Sequence, residues 1–308
     1  VLIMALPSTS ARGATVYPTG LIKRRRRTRA EVEQLDSQIL DVLRTDHPQS
    51  VRHVFYRMTD PRLPEPVEKT EHGYAQVQDR IAKLRRTGGL PYSWISDATR
   101  RGYHVATFNG EADFLRRVSG SYRADLWENA ESYCEVWSES RSIAGVIQAD
   151  CERLAVSLYP AGGFTSMTLA YQAAEYIRHA AAGRPAVIFY VGDLDPAGVL
   201  IDLDIKRKLV EHLGDEVAID FRRIGITEDQ VALFDLPTKP RKVGERRALH
   251  IRETVEAEAM PARILRGLLT AEIEALLPPD AVQAAQIEER AARRYFDEIA
   301  RLTEEGRG

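Results

Sequence analysis

Residues 186 to 193 read AVIFYVGD, six successive apolar positions closed by a glycine and an aspartate. An unbroken apolar run of this kind has no wet face, so a strand made of it needs cover on both sides. That is the pattern of a central strand in a parallel sheet between two layers of helices. The flanking segments keep the same rhythm. YCEVWSE (133 to 139) predicts a strand, Ser142 to Leu158 a helix, Ser166 to Ala182 a helix, Gly198 to Leu213 a helix, and EVAIDFRRIG (216 to 225) another strand. Strands alternating with helices imply a mostly parallel α/β sheet with its ligand site at the carboxyl ends of the strands.

Upstream the pattern changes. Residues 1 to 29 are rich in Pro, Ser, Gly and Arg and predict a flexible arm. Apolar spacing at Val32, Leu35, Ile39, Leu40 and Leu43 predicts a helix from Ala30 to Leu43. Ser50 reads as an N-cap before VRHVFYRM, and Val67 to Arg86 predicts a third helix with Tyr74, Val77, Ile81 and Leu84 inward. WISDATR and YHVATF alternate like two short strands. Three helices and a small β-wing outline a winged-helix-like (CAP-like) domain, in which one helix can enter a DNA major groove. Glu111 to Asn129 predicts a helical connector broken at Gly120, and 261 to 305 two helices broken at Pro278-Pro279. The expected domains are therefore an arm (1–29), a winged-helix-like domain (30–128), an α/β domain (129–260) and C-terminal helices (261–308).

The acidic residues carry the chemistry. The apolar strand delivers Asp193 and Asp195 two residues apart, and Glu139 ends the earlier strand. Clustered carboxylates repel one another unless a cation lies between them, and Mg²⁺ suits a site of one or two carboxylates completed by water and phosphate oxygens. The alternative is that Asp193 caps the following helix and Asp195 belongs to a tight turn. Asp202 and Asp204 should point along that helix into solvent. Glutamate ending one strand, GDLDPAG ending another and AGGFTS (161 to 166) between them resemble the Toprim fold of topoisomerases, primases and some nucleases. The resemblance covers under half of the chain and implies that Glu139 is a general acid/base or metal ligand and that Asp193 and Asp195 are metal ligands.

RHVFYRM (52 to 58) is similar to the R-D-[IV]-[YF]-Y motif in the A subunit of type IIB topoisomerases, topoisomerase VI, and in the meiotic double-strand-break protein related to it. Arg52 matches the motif arginine and Tyr56 the nucleophilic tyrosine, while His53 stands where that family usually has Asp. A phenol is a weak nucleophile near neutrality and needs cations beside it, which Arg52 and Arg57 could supply. The alternative is that Tyr56 is a core aromatic on the face of Val51, Val54, Phe55 and Met58, with the arginines merely exposed. RIGITEDQVALFDLP and VEAEAM (255 to 260) resemble later segments of the same family, with Glu258 either lining the site or exposed on a helix.

The order of modules and the short chain look like the compact topoisomerase mini-A proteins. The resemblance implies Mg²⁺-dependent cleavage of double-stranded DNA, with Tyr56 left on the 5′ end, by a homodimer. The chain has no Walker-type phosphate loop, so an ATPase would come from a GHKL-type B or mini-B subunit. Two other readings remain: a Toprim nuclease in which water attacks, and a DNA-binding protein without catalysis.

Bulk properties add limits. The formal charge of −2 hides the cluster KRRRRTR, in which Lys23, Arg24, Arg25, Arg26 and Arg27 either neutralise DNA phosphates or form a solvated tail. Cys134 and Cys151 are too few for a disulfide framework, which points to a reducing cytoplasm, and the resemblance to DNA-cleaving proteins implies a nucleoid-associated one. No segment approaches the roughly 18 apolar residues of a membrane span, and VLIMALP lacks the basic region of a secretory signal.

Overall fold

A computed structural model describes residues 27–96, 105–241, 244, 246–248 and 250–305. Lys23, Arg24, Arg25 and Arg26 lie outside the described residues, as do 97–104 in the middle of the expected wing.

Four parallel strands form the sheet: β1 (Tyr133–Ser138), β2 (Ser157–Pro160), β3 (Ala186–Val191) and β4 (Ile219–Gly225), in the order β2-β1-β3-β4. The helices α5 (Arg141–Arg153), α6 (Met167–Ala181) and α7 (Gly198–Leu213) connect them. In register, Cys134 faces Val187 and Val136 faces Phe189. Side chains alternate across a strand, so these residues bury one face with α5, while Trp137, Ile188 and Tyr190 bury the other with α6 and α7. From β1 the chain turns outward to β2, and from β3 it turns the opposite way to β4. The crevice between the ends of β1 and β3 is thus a topological switch point, the usual ligand position in such sheets.

Serines start the helices where the sequence suggests. The Ser50 hydroxyl accepts the His53 N–H and the Ser166 hydroxyl the Leu169 N–H, each satisfying an amide that the helix cannot. Two boundaries differ from expectation. The helix predicted to reach Leu158 stops at Arg153, and Ser157–Pro160 is the edge strand β2; three half-buried residues and an exposed proline carry too little periodicity to announce a strand. The third helix begins at Glu71, because the Thr70 hydroxyl caps it by accepting the Gly73 N–H.

Three helices, α1 (Arg29–Thr45), α2 (Val51–Met58) and α3 (Glu71–Arg86), pack around Leu35, Ile39, Val54, Met58, Val77 and Ile81. The described part of the expected wing is not strand: Tyr92–Trp94 is a 3₁₀ turn and Val105–Phe108 is irregular. Ile95 makes one parallel bridge to Gln49. Of the connector expected to run to Asn129, only α4 (Glu111–Ser119) is helix; it ends at Gly120, the expected break, and the chain from there to Asn129 is turn and irregular structure.

After β4 come α8 (Glu228–Leu233), a two-residue hairpin pair β5 (Lys239–Pro240) and β6 (Glu253–Thr254), a 3₁₀ turn at Ala257–Ala259, α9 (Ala262–Glu274) and α10 (Ala281–Glu305). Asp46, at the end of α1, accepts the Arg263 amide at 2.8 Å and pairs with the Arg266 guanidinium, so α9 is tied to the N-terminal helices. A single apolar cluster runs from α1 to α3 through one face of the sheet to α9. Among the described residues no helix is long and apolar enough to cross a membrane.

Candidate active site

Two chain segments meet at the switch point. Glu139 follows β1, and its amide continues the sheet by donating to the Val191 carbonyl at 2.8 Å. Its carboxylate turns back across the crevice, where Oε2 accepts the Asp193 amide at 2.9 Å and the Tyr190 hydroxyl at 3.4 Å. Only glycines leave room for it: a Cβ at Gly192 would lie 2.7 Å from Glu139 Oε2, and one at Gly198 3.1 Å from it. These contacts explain the glycines of GDLDPAG.

Asp193 and Asp195 divide the labour of the loop. Asp195 Oδ1 accepts the amides of Ala197 at 2.9 Å and Gly198 at 2.6 Å, closing the turn into α7. Asp193 instead reaches a third segment, where Oδ1 accepts the Ala257 amide at 2.8 Å. Leu194 and Val255 exchange two backbone hydrogen bonds beside it. The 255–259 segment is thereby laid along the acidic loop.

Burial and mutual repulsion set the electrostatics. Asp193 is pushed up to about 8, first by burial and then by the charges of Glu139 and Glu258. Glu139 is raised by burial and by Asp195, and Glu258, 6% exposed, by burial. Burial and like charge outweigh the nearby Arg223 and Arg52 guanidinium groups at these carboxyls, and crowded carboxylates are the donor chemistry that a divalent cation relieves. Among the described residues no three Asp, Glu, His or Cys side chains form a ready-made metal cage.

Asp202 and Asp204 do not face solvent as expected. Asp202 pairs with Arg223 at 2.6 Å, and Asp204 with Lys208 at 2.6 Å, because neighbouring cations on β4 and α7 claim them. Arg223, not singled out from the sequence, is the clamp of the acidic loop. Besides Asp202, its guanidinium donates to the carbonyls of Gly192, Asp193, Gly198 and Ile226.

α2 approaches the 255–259 segment from the other side. Arg57 donates to the Ala259 carbonyl, and Arg52 pairs with Glu256 Oε2 at 2.5 Å. Glu256 Oε1 pairs with Lys239 at 2.7 Å. Tyr56 is 3% exposed, with the Lys69 and Lys239 ammonium groups 5.4 and 5.9 Å from its ring centre. Its phenol is raised above its ordinary value by burial and by hydrogen bonding and charge from Glu256, with Arg52 opposing. Burial works against Glu256's charge too, yet hydrogen bonds from Lys239 and Arg52 prevail and hold it down to about 2. His53 is buried among Arg57 and Arg266, with Nδ1 against the Ser50 hydroxyl at 2.9 Å; burial first and these cations second depress it to about 3.

Two arginines of the basic run are described: Arg27 turns inward, donating to Glu65 at 2.6 Å and to the Pro66 carbonyl at 3.0 Å, and Arg29 at the start of α1 pairs with Glu33 at 2.8 Å. Lys69, Lys239 and Glu256 escape sequence reading because each lies in a loop or a two-residue strand. No protein-family profile, curated protein or solved structure matches the chain.

Proposed function

We propose that this chain is the DNA-cleaving subunit of a type IIB topoisomerase-like system, with a Toprim-type α/β domain, a winged-helix-like N-terminal domain and Tyr56 as nucleophile. One observation carries the reading. Tyr56 and Arg52 on α2 face Glu256, and the next residue, Ala257, holds Asp193 through its amide. The 255–259 segment thus links α2 to the acidic loop although the two lie far apart in the sequence, and the reading pairs the tyrosine of one protomer with the strand-end acids of the other.

In the reaction Tyr56 Oη bonds to the phosphorus of a DNA phosphodiester as the bond to the 3′ oxygen breaks. The phenol loses its proton and the departing 3′ oxygen gains one, leaving the 5′ end on the tyrosine with no change of oxidation state. Arg52 steadies a phosphate oxygen. Glu139 and Asp193, with the charge of Asp195 behind them, would hold Mg²⁺, which when bound supplies Lewis-acid stabilisation at the scissile phosphate. One tyrosine cuts one strand, so a double-strand break takes two copies, most simply a twofold homodimer. A GHKL-type B or mini-B subunit would supply ATP hydrolysis.

The burial of Tyr56 and its raised phenol favour a second reading, a hydrolytic Toprim nuclease in which water attacks at the acids. End-labelled duplex DNA incubated with Mg²⁺ or Mn²⁺ separates the two. Wild type, Tyr56→Phe and Asp193→Asn are compared on denaturing gels before and after protease. Transesterification leaves a protein–DNA adduct that Tyr56→Phe abolishes; cutting by Tyr56→Phe without any adduct replaces it with hydrolysis.

A further inference from the structure

Both oxygens of Glu256 are engaged, each by a different cation. Oε1 meets the Lys239 ammonium at 2.7 Å and Oε2 the Arg52 guanidinium at 2.5 Å. The Tyr56 phenol faces the same carboxylate. Two anionic oxygens bracketed by an arginine and a lysine, with a nucleophile pointed at them, match the outline of the two non-bridging oxygens of a phosphodiester. We infer that Arg52, Lys239 and the Tyr56 hydroxyl form a subsite for one DNA phosphate, and that Glu256 is its internal occupant, a plug that DNA displaces. The inference rests on DNA being the substrate.

Exposure distinguishes this network from the structural ion pairs. Arg52 and Lys239 are 42% and 44% exposed and Glu256 between them 23%, whereas Arg266 and Asp46, which tie α9 to α1, are 19% and 11%. Pairs that open to solvent contribute little net stability and exchange partners easily. An occupant of the subsite has to be exchangeable in this way.

The surroundings hold the cations in place on segments other than the one that carries the carboxylate. Lys69 donates to the carbonyls of Pro237 at 2.9 Å and Thr238 at 3.1 Å, directly before Lys239. This fixes the start of β5 beside Tyr56. Glu256 follows β6, whose Thr254 is paired with Lys239. Arg52, Lys69 and Lys239 are the cations facing Tyr56; Glu256 and, behind it, the buried Glu258 are the anions. With Glu256 in place the phenol keeps its proton and both phosphate-binding cations are spent, so the nucleophile stays idle until DNA arrives.

Binding can be measured apart from cleavage, in EDTA, by anisotropy of a short fluorescein-labelled duplex across a salt series. Glu256→Gln should bind about fivefold tighter near 0.1 M salt, with a slope of log affinity against log salt steeper by about one. Unchanged or weaker binding by a folded Glu256→Gln overturns the plug. If that variant does not fold, Lys239→Gln decides: a slope shallower by about one supports the subsite, and an unchanged slope removes it. The adduct assay with Tyr56→Phe judges the cleavage reading separately, since a wild-type adduct with unaltered Glu256→Gln affinity sinks the plug alone.

Discussion

Glu139 and Asp193, at the ends of neighbouring strands, are locked carboxylate to amide, with Glu139 Oε2 accepting the Asp193 N–H at 2.9 Å. The bond aims Glu139 across the switch point rather than along its own strand. It also holds two carboxyl groups inside one poorly solvated crevice, where burial raises both, the Glu139 charge opposes ionisation of Asp193, and the Asp195 charge opposes that of Glu139.

That crowding has a signed consequence for stability. Asp193 binds its proton up to about 8 in the folded chain but only to about 4 when unfolded. Between those values the folded state carries the extra proton, so stability falls as pH rises. In EDTA the thermal midpoint should drop from pH 5 to pH 8, on the order of 2 °C per pH unit. Asp193→Asn should flatten the drop, and Mg²⁺ added at pH 8 should raise the midpoint of wild type more than that of the variant. A wild-type midpoint that climbs across this range is incompatible with the crowding.

Gly198 tests the tightness of the loop. A Cβ there would run into the Asp193 carbonyl, which is backbone and cannot swing aside. Gly198→Ala should cost about 1–3 kcal/mol in urea unfolding and should reduce cleavage by displacing Asp193. Gly120 is the control: it has right-handed helical φ and ψ and nothing within 4 Å of an added Cβ, so Gly120→Ala should be neutral or stabilising. Equal losses at both positions would mean that the crowding at Gly198 is not felt.

The parts of this site that sequence reading finds are those with local signals. An uninterrupted apolar run announces β3, a serine announces each of α2 and α6, and the acids follow strands whose ends must converge in a parallel sheet. What escapes it is assembled at long range. Arg52 meets Glu256, and Lys69 meets Pro237, through packing of α2 and α3 against loops far along the chain. Nothing in the pattern RRIG distinguishes Arg223, which clamps the acidic loop, from Arg222, which pairs with Asp220 on the surface. β2 is missed because an edge strand of four residues shows no alternation that a helix end could not mimic.

Arg223 also makes a quantitative case. Its planar guanidinium serves the Asp202 carboxylate and four backbone carbonyls, a set that a lysine ammonium with three donors cannot span. Arg223→Lys should therefore cost about 2 kcal/mol or more in urea unfolding, from stranded carbonyls and an ill-matched Asp202. Asp202→Asn, which leaves the carbonyl bonds in place, should cost less. The reverse order would show that the ion pair, not the loop clamp, is what Arg223 provides.

Glu135 is the remaining buried acid, and it lies on the opposite face of β1 from Cys134 and Val136. It is fully buried, accepting from the Tyr133 hydroxyl at 2.8 Å and from Trp137 Nε1 at 3.0 Å, and stands in register with Ser157 of the edge strand β2. Burial raises it to about 7, against the pull of the donors around it. Tyr159 hydrogen-bonds the same carboxyl, so Glu135→Leu removes the acceptor of three donors at once and should cost about 2–5 kcal/mol. Glu135→Gln keeps one carbonyl oxygen and should cost less at pH 6. Because the folded carboxyl holds its proton to higher pH than the unfolded one, wild type loses stability from about pH 4.3 to 7 through this group. Glu135→Gln loses none by this route, so its deficit relative to wild type should shrink between pH 5 and pH 8 in parallel urea titrations. A deficit that widens with pH would mean that Glu135 is ionised throughout, with its donors overcoming burial.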